Sequence, residues 1–170
     1  MHMSELIENA KKAVMEKGLP VIEDAKTKIP LYVSMRELPL RFQFGISKVQ
    51  RFFEGLRDGK IYMTKCKRCG EKFFPPQADC PKCLTSDMEW VELSGEGELI
   101  TCTMIFVKPP TFAHYKDYIV GIAEMKEGVK VLAWLAVDDP KKVKPRMKVR
   151  LTTTKREPEG VITYHFVPIE

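Results

Sequence analysis

The sequence predicts a mainly β protein with N-terminal helices, and three observations support that fold class. Helical periodicity is confined to the first 60 residues. Two Cys-x-x-Cys pairs, Cys66/Cys69 and Cys80/Cys83, stand ten residues apart, a spacing that gathers four thiolates around one centre. From Glu98 onward, runs rich in Val, Ile, Thr and aromatic residues alternate with turn residues and leave no helical stripe.

At the N-terminus, Ser4 is suited to cap a helix, Glu5 and Glu8 to its positive end, and Met3, Leu6, Ile7, Ala10 and Val14 fall on one face. Gly18 and Pro20 stop it. Its apolar stripe has two uses, packing on the rest of the chain or docking on another protein. Residues 19–46 are expected as an extended arm laid on a surface: Pro20, Pro30 and Pro39 break any long element, while Leu31, Tyr32, Val33, Leu38, Leu40, Phe42 and Phe44 are too apolar for a free linker. Ser47 then caps a second helix of about three turns, with Val49, Phe52, Phe53 and Leu56 as its apolar positions and Gly59 at its end. Phe52 and Phe53 are expected to anchor this helix on the β segments C-terminal to it, with an acyl-pocket wall as the alternative.

Ile61–Thr64, Phe73–Pro76 and Trp90–Leu93 are the three short strands that frame the cysteines, so residues 61–93 read as a rubredoxin-like zinc ribbon. Gly70, directly after the first pair, supplies the positive φ that turns backbone amides toward sulfur. Disulfides and an iron ion in the same cage are the competing readings. Four thiolates leave no open coordination position, so the metal is expected to hold the fold and not to perform chemistry.

Ser94–Gly97 is the expected hinge into a third segment, residues 94–170. Five strands are predicted there, at 99–107, 118–125, 129–137, 147–154 and 161–167. Glu127-Gly128, Asp138-Asp139-Pro140 and Pro158-Glu159-Gly160 punctuate them. Five strands with a break after the third fit a small OB-fold barrel, its usual helix reduced to a turn around Lys141–Pro145. The expected organisation is an N-terminal helical arm over 1–60, the ribbon over 61–93 and the barrel over 94–170.

The net charge of +5 is spread along the chain. One local exception is Lys141, Lys142, Lys144, Arg146, Lys148 and Arg150, six cations in ten residues with no acid among them. They read either as a solvated turn and protected strand edge or as a patch for an anionic ligand. No apolar run approaches the roughly 20 residues of a membrane span, and Met1-His2-Met3 lacks the basic-then-apolar pattern of a signal peptide. The expected compartment is the cytoplasm. Catalysis is not expected. Cys102 has no histidine beside it in sequence, His114 and His165 stand apart, and neither a phosphate-binding glycine loop nor a His-x-x-x-His pair occurs.

The ordered set Phe52–Lys60 (Phe-Phe-x-Gly-Leu-x-x-Gly-Lys), Cys66–Gly70, Phe74–Pro76, Cys80–Cys83 and Trp90–Gly97 (Trp-x-x-Leu-Ser-Gly-x-Gly) resembles the zinc-ribbon plus OB-fold proteins once grouped as a domain of unknown function and now called acyl-CoA-associated. Tyr118–Glu124, Glu127–Leu132 and Met147–Val149 are similar to that family's barrel. The resemblance covers about residues 47 to 155. It implies a non-catalytic accessory subunit that binds a thiolase and, in archaea, bridges acetoacetyl-CoA thiolase and hydroxymethylglutaryl-CoA synthase of the mevalonate route. In such complexes the barrel helps hold the CoA of the thioester. Cys66, Cys69, Cys80 and Cys83 map onto the family's zinc ligands. Where the family often has Gly-Met-x-Val, this chain has Arg146-Met147-Lys148-Val149. CoA offers phosphates, an adenine and a thin pantetheine. Lys141, Lys142, Lys144 and Arg146 are the candidate phosphate contacts, and Phe112 and Tyr115, in the loop between the first two barrel strands, are the candidates for the rest. Trp134 is expected in the core or an interface. The alternative function is a nucleic-acid-binding ribbon and barrel, which requires aromatics interleaved with cations on one face.

Overall fold

A computed structural model describes residues 3–34, 43–137 and 139–169, which fall into two compact units, Met1–Phe44 and Gly45–Glu170. In the first, helix α1 (Met3–Lys17) buries Ala10 and Ala13 and stops at Gly18 as expected, where the backbone turns left-handed with the Gly18 N–H on the Val14 carbonyl at 2.9 Å. The expected Ser4 cap and the Met3 side chain lie outside the described side chains, and Leu38, Pro39, Leu40 and Phe42 outside the described residues.

The stretch after α1 is not simply extended. Strands β1 (Val21–Glu23) and β2 (Pro30–Tyr32) pair antiparallel. The reversal is built by Asp24, whose Oδ1 accepts from Lys26 N (3.0 Å), Thr27 N (2.7 Å) and Thr27 Oγ1 (2.8 Å). A carboxylate collecting local donors stabilises a turn that hydrophobic periodicity does not register.

In the second unit, helix α2 (Gln50–Arg57) is shorter than expected. Ser47 lies in a preceding turn, and the residue at the cap is Val49, which offers no side-chain acceptor. Tertiary packing holds α2 instead. Phe52 is buried and meets Phe74 edge-on at 6.0 Å and Tyr164 at 6.3 Å, so one ring anchors the helix to ribbon and barrel alike. Phe53 is 43% exposed and meets Phe52 edge-on at 5.5 Å.

The ribbon is a three-stranded sheet in the order β4-β3-β5, with β3 (Tyr62–Cys66) between β4 (Lys72–Phe73) and β5 (Met88–Glu92). The five barrel strands are β6 (Glu96–Ile105), β7 (Tyr118–Met125), β8 (Lys130–Leu135), β9 (Lys148–Arg156) and β10 (Val161–Pro168). They close in the order β10-β8-β7-β6-β9, with β10 antiparallel to β9 and parallel to β8. That closure, with the last strand beside the third and the fourth returning to the first, is the OB arrangement. Alternation decides what faces inward: Val131, Ala133 and Leu135 of β8 and Ile119, Ala123 and Met125 of β7 are buried, while Leu132 is 59% exposed.

One apolar core runs through the whole unit. Phe52, Leu56, Ile61, Met63 and Leu93 from α2 and the ribbon join Leu99, Val131, Val149, Leu151 and Phe166 of the barrel. Each such side chain, fully buried, contributes about 1.5–3 kcal/mol. The Ser94–Gly97 junction is bonded on both sides: Ser94 N donates to Glu127 Oε1 at 2.6 Å, Leu151 N to Gly95 O at 2.6 Å and Lys126 N to Glu96 O at 2.9 Å. No described helix is long and apolar enough to cross a membrane.

Candidate metal centre and barrel surface

Each cysteine pair sits in the same backbone loop. Cys66 N donates to Glu71 O (2.7 Å) and Gly70 N to Cys66 O (2.8 Å). In the second loop Cys80 N donates to Thr85 O (2.8 Å) and Leu84 N to Cys80 O (2.8 Å). The two knuckles therefore repeat one design, five residues closed by a left-handed residue, Gly70 (φ +74°) in one and Leu84 (φ +52°) in the other. The sequence points to Gly70 alone, since a leucine carries no sign of left-handed backbone.

All four sulfurs lie within 4.8 Å of one another, with Cys69 and Cys80 Sγ 3.7 Å apart. Cys66 and Cys80 are buried, Cys83 is half-buried and Cys69 exposed. Their acidities diverge. The backbone N–H of Glu71, helped by the Cys83 thiol, pulls Cys69 down to about 7, whereas the hydrogen bond to Cys69 together with burial pushes Cys83 up to about 12. Four thiols this close resist ionising together, because each thiolate opposes the next. A divalent cation among them supplies the missing positive charge, and a closed soft tetrathiolate donor set fits a structural zinc ion. The residues that would hold it are Cys66, Cys69, Cys80 and Cys83.

On the barrel, Phe112 and Tyr115 do come together, in a cluster that the sequence reveals only in part. Trp134 stacks on Tyr118 at 4.0 Å (18° between planes) and takes the Arg156 guanidinium at 4.1 Å, so both of its faces are covered. Tyr115 meets Trp134 edge-on at 5.1 Å, and Phe112 lies 5.6 Å from Tyr115 and 6.4 Å from Trp134. Trp134 thus stands on the outer, half-buried face of β8, in a surface aromatic cluster and not inside the barrel core. Glu159, in the β9–β10 turn, closes the cluster by accepting from the Tyr115 hydroxyl and from His114 Nε2 (3.1 Å). The Tyr115 hydroxyl, with His114, holds Glu159 below the usual carboxylate range. Burial and the Glu159 carboxylate push Tyr115 up to about 12. Nothing in the sequence marks Arg156 and Glu159 for this cluster, since a turn sequence says nothing of the loop packed against it.

The cations occupy another place. Lys141 and Lys142 sit in a single turn of 3₁₀ helix, Pro140–Lys142, where Asp139 Oδ1 accepts from Lys141 N at 2.9 Å. Lys142 borders a recess of about 650 Å³ whose walls include Val137, Met147, Val167 and Pro168. Lys144 follows, and Arg146 is 87% exposed with Nε 3.6 Å from Glu98. Arg146 has φ +63°, so the backbone keeps the left-handed shape for which the family often uses glycine, and an arginine bears the strain. Among the described residues no hydrogen bond, ion pair or ring contact joins these four cations to Phe112 or Tyr115.

A four-cysteine ribbon and a five-stranded barrel on one core define a zinc-ribbon and OB-fold protein. The family model for the rubredoxin-like zinc ribbon domain of ChsH2 matches residues 53–89, and that for the C-terminal OB-fold domain of ChsH2 matches residues 90–154. The chain belongs to the DUF35 family. It is 33% identical over 113 residues (63% of this chain, 80% of the relative) to a DUF35 domain-containing scaffold protein of Methanocaldococcus jannaschii. It is 32% identical over 123 residues (70% and 90%) to the protein of the same name in Pyrococcus furiosus. The benzoylsuccinyl-CoA thiolase subunit BbsA of Thauera aromatica is 29% identical over 85 residues (48% and 58%). Among solved structures, a chain of the Ltp2-ChsH2(DUF35) aldolase superposes with a TM-score of 0.60 at 27% identity, covering 70% of this chain and 92% of its own.

Proposed function

We propose that this chain is a non-catalytic accessory subunit of acyl-CoA metabolism in the cytoplasm, a scaffold that binds a thiolase-type enzyme and helps hold the CoA of its thioester. In the arrangement implied by the family resemblance, the enzymes are acetoacetyl-CoA thiolase and hydroxymethylglutaryl-CoA synthase. The observation that carries this reading is the match of ribbon and barrel together to relatives named scaffold proteins, with a thiolase subunit among the further relatives. The chemistry supports it. A closed tetrathiolate offers a metal no open position. Among the described residues Cys102 has no hydrogen-bonded base, and His114 is engaged by Glu159. CoA binding draws on Lys141, Lys142, Lys144 and Arg146 for its phosphates and on the recess beside Lys142 for the pantetheine. Phe112 and Tyr115, in their own aromatic cluster, are the candidate contacts for the adenine.

The test is capture of partners from native extract on this chain, with and without CoA, and their identification by mass spectrometry. A thiolase, with or without a synthase, is the expected catch. Ribosomal, polymerase or repair proteins that disappear on nuclease treatment would overturn the proposal.

A further inference from the structure

Arg156, the last residue of β9, is half-buried, with its guanidinium carbon 4.1 Å from the centre of the Trp134 ring. The acids nearest to it in sequence are spent elsewhere. Glu157 pairs with Lys155 at 3.6 Å, and Glu159 accepts from the Tyr115 hydroxyl and from His114 Nε2. Among the described residues no carboxylate pairs with Arg156 and no acceptor takes its side-chain N–H groups. A guanidinium is a rigid fork of five donors whose shape matches a phosphate. Here the indole holds that fork by cation–π attraction, with Tyr118 stacked on the same ring, so little side-chain freedom remains to be lost when an anion arrives.

Position narrows the choice of anion. Tyr115 and Phe112, the candidate adenine contacts, pack on the same indole at 5.1 and 6.4 Å. Along β10, His165 stands opposite Trp134, whereas Val167 and Pro168, two and three residues further on, wall the recess beside Lys142. At the rise of a strand that is about 7–10 Å. The ribose of CoA carries a 3′-phosphate that ends there and a 5′-pyrophosphate that leads on to the pantetheine. With adenine at the aromatic end and pantetheine in the recess, the pyrophosphate runs toward the lysines and the 3′-phosphate stays beside the adenosine. We propose that Arg156, held over Trp134, is the contact for the ribose 3′-phosphate, and so the residue by which this chain tells CoA from nucleotides that lack that group. The assignment rests on the CoA reading and adds to it a residue and a selectivity.

The test is calorimetric titration of zinc-loaded full-length chain with CoA and with 3′-dephospho-CoA, which keeps the adenine, pyrophosphate and pantetheine. CoA should bind about tenfold or more tightly, the worth of one charge-assisted contact. Arg156→Gln should lower CoA affinity by that factor and leave dephospho-CoA unchanged, bringing the ratio to about one while zinc content and circular dichroism stay the same. Arg156→Lys keeps the charge without the fork and should recover part of the ratio. Lys141→Gln/Lys142→Gln/Lys144→Gln is the contrast: both ligands carry the pyrophosphate, so both should weaken alike and the ratio should persist. Equal affinities for the two ligands, a ratio that survives Arg156→Gln, or a ratio lost in the lysine variant would overturn the assignment and leave the CoA reading standing. Failure of CoA itself to bind would overturn both.

Discussion

Substituting Gly95 by alanine separates two costs that the junction between ribbon and barrel imposes. Gly95 has φ +80°, and a Cβ there would lie 2.8 Å from the Leu151 carbonyl oxygen. The left-handed backbone alone costs an alanine about 1 kcal/mol. The collision adds about 1–3 kcal/mol, because the obstacle is backbone of β9, paired with β10, and cannot rotate away. The same movement strains the 2.6 Å bond from Leu151 N to Gly95 O. The expected loss is about 3 kcal/mol, or about 6–12 °C in melting temperature for a chain of this size. Gly59→Ala is the reference: φ is +79° and nothing lies within 4 Å of the new methyl, so it should cost about 1 kcal/mol. Both are measured by urea unfolding of zinc-saturated protein, followed by Trp90 and Trp134 fluorescence. Equal losses in the two variants would refute the steric argument.

Removing the metal with a strong chelator, or making Cys80→Ser, should lower the stability of α2 and the barrel as well as the ribbon, since they share a core; bound zinc by elemental analysis and far-ultraviolet circular dichroism check this together. Glu159→Gln should raise hydrogen exchange in residues 106–117 without changing zinc content. The pH dependence of that contact has a definite sign. Glu159 is held below its ordinary value, so its contribution is complete above the carboxylate range and is lost as pH falls through the lowered value. Tyr115 is raised, so its share is complete below about 10 and is lost as pH rises through about 12. Hydrogen exchange of the loop across pH tests both limits. If the cations serve the proposed CoA site, Lys141→Gln/Lys142→Gln/Lys144→Gln should weaken CoA affinity by roughly tenfold in calorimetry with the fold intact, each phosphate contact being a charge-assisted bond; unchanged affinity would remove the cations from that proposal.

Much of the fold was legible in the residues because it depends on local chemistry. Alternation places Val131, Ala133 and Leu135 inward without reference to any partner strand, and paired cysteines declare their cage. What escaped depends on distant atoms or on backbone states that side chains do not announce. The β1–β2 hairpin rests on one carboxylate and strands of three residues, too short for periodicity. Ser47 has the residue type of a cap, yet α2 is positioned by Phe52 against Tyr164, more than a hundred residues away. The Glu159 contact crosses from one loop to another, and Arg146 and Leu84 take left-handed φ where glycine would be the readable sign.

Because ribbon and barrel share one apolar core, a zinc ion held by the four cysteines would make metal supply a control on how much of this protein persists. Met63, Leu93 and Phe52 belong to the core that the ribbon shares with the barrel, so loss of the ion is expected to favour opening of that core to proteases, and scarcity of metal should appear as fewer molecules and not as a pool of intact but impaired ones. Any enzyme that depends on the scaffold would inherit that sensitivity without holding a metal of its own.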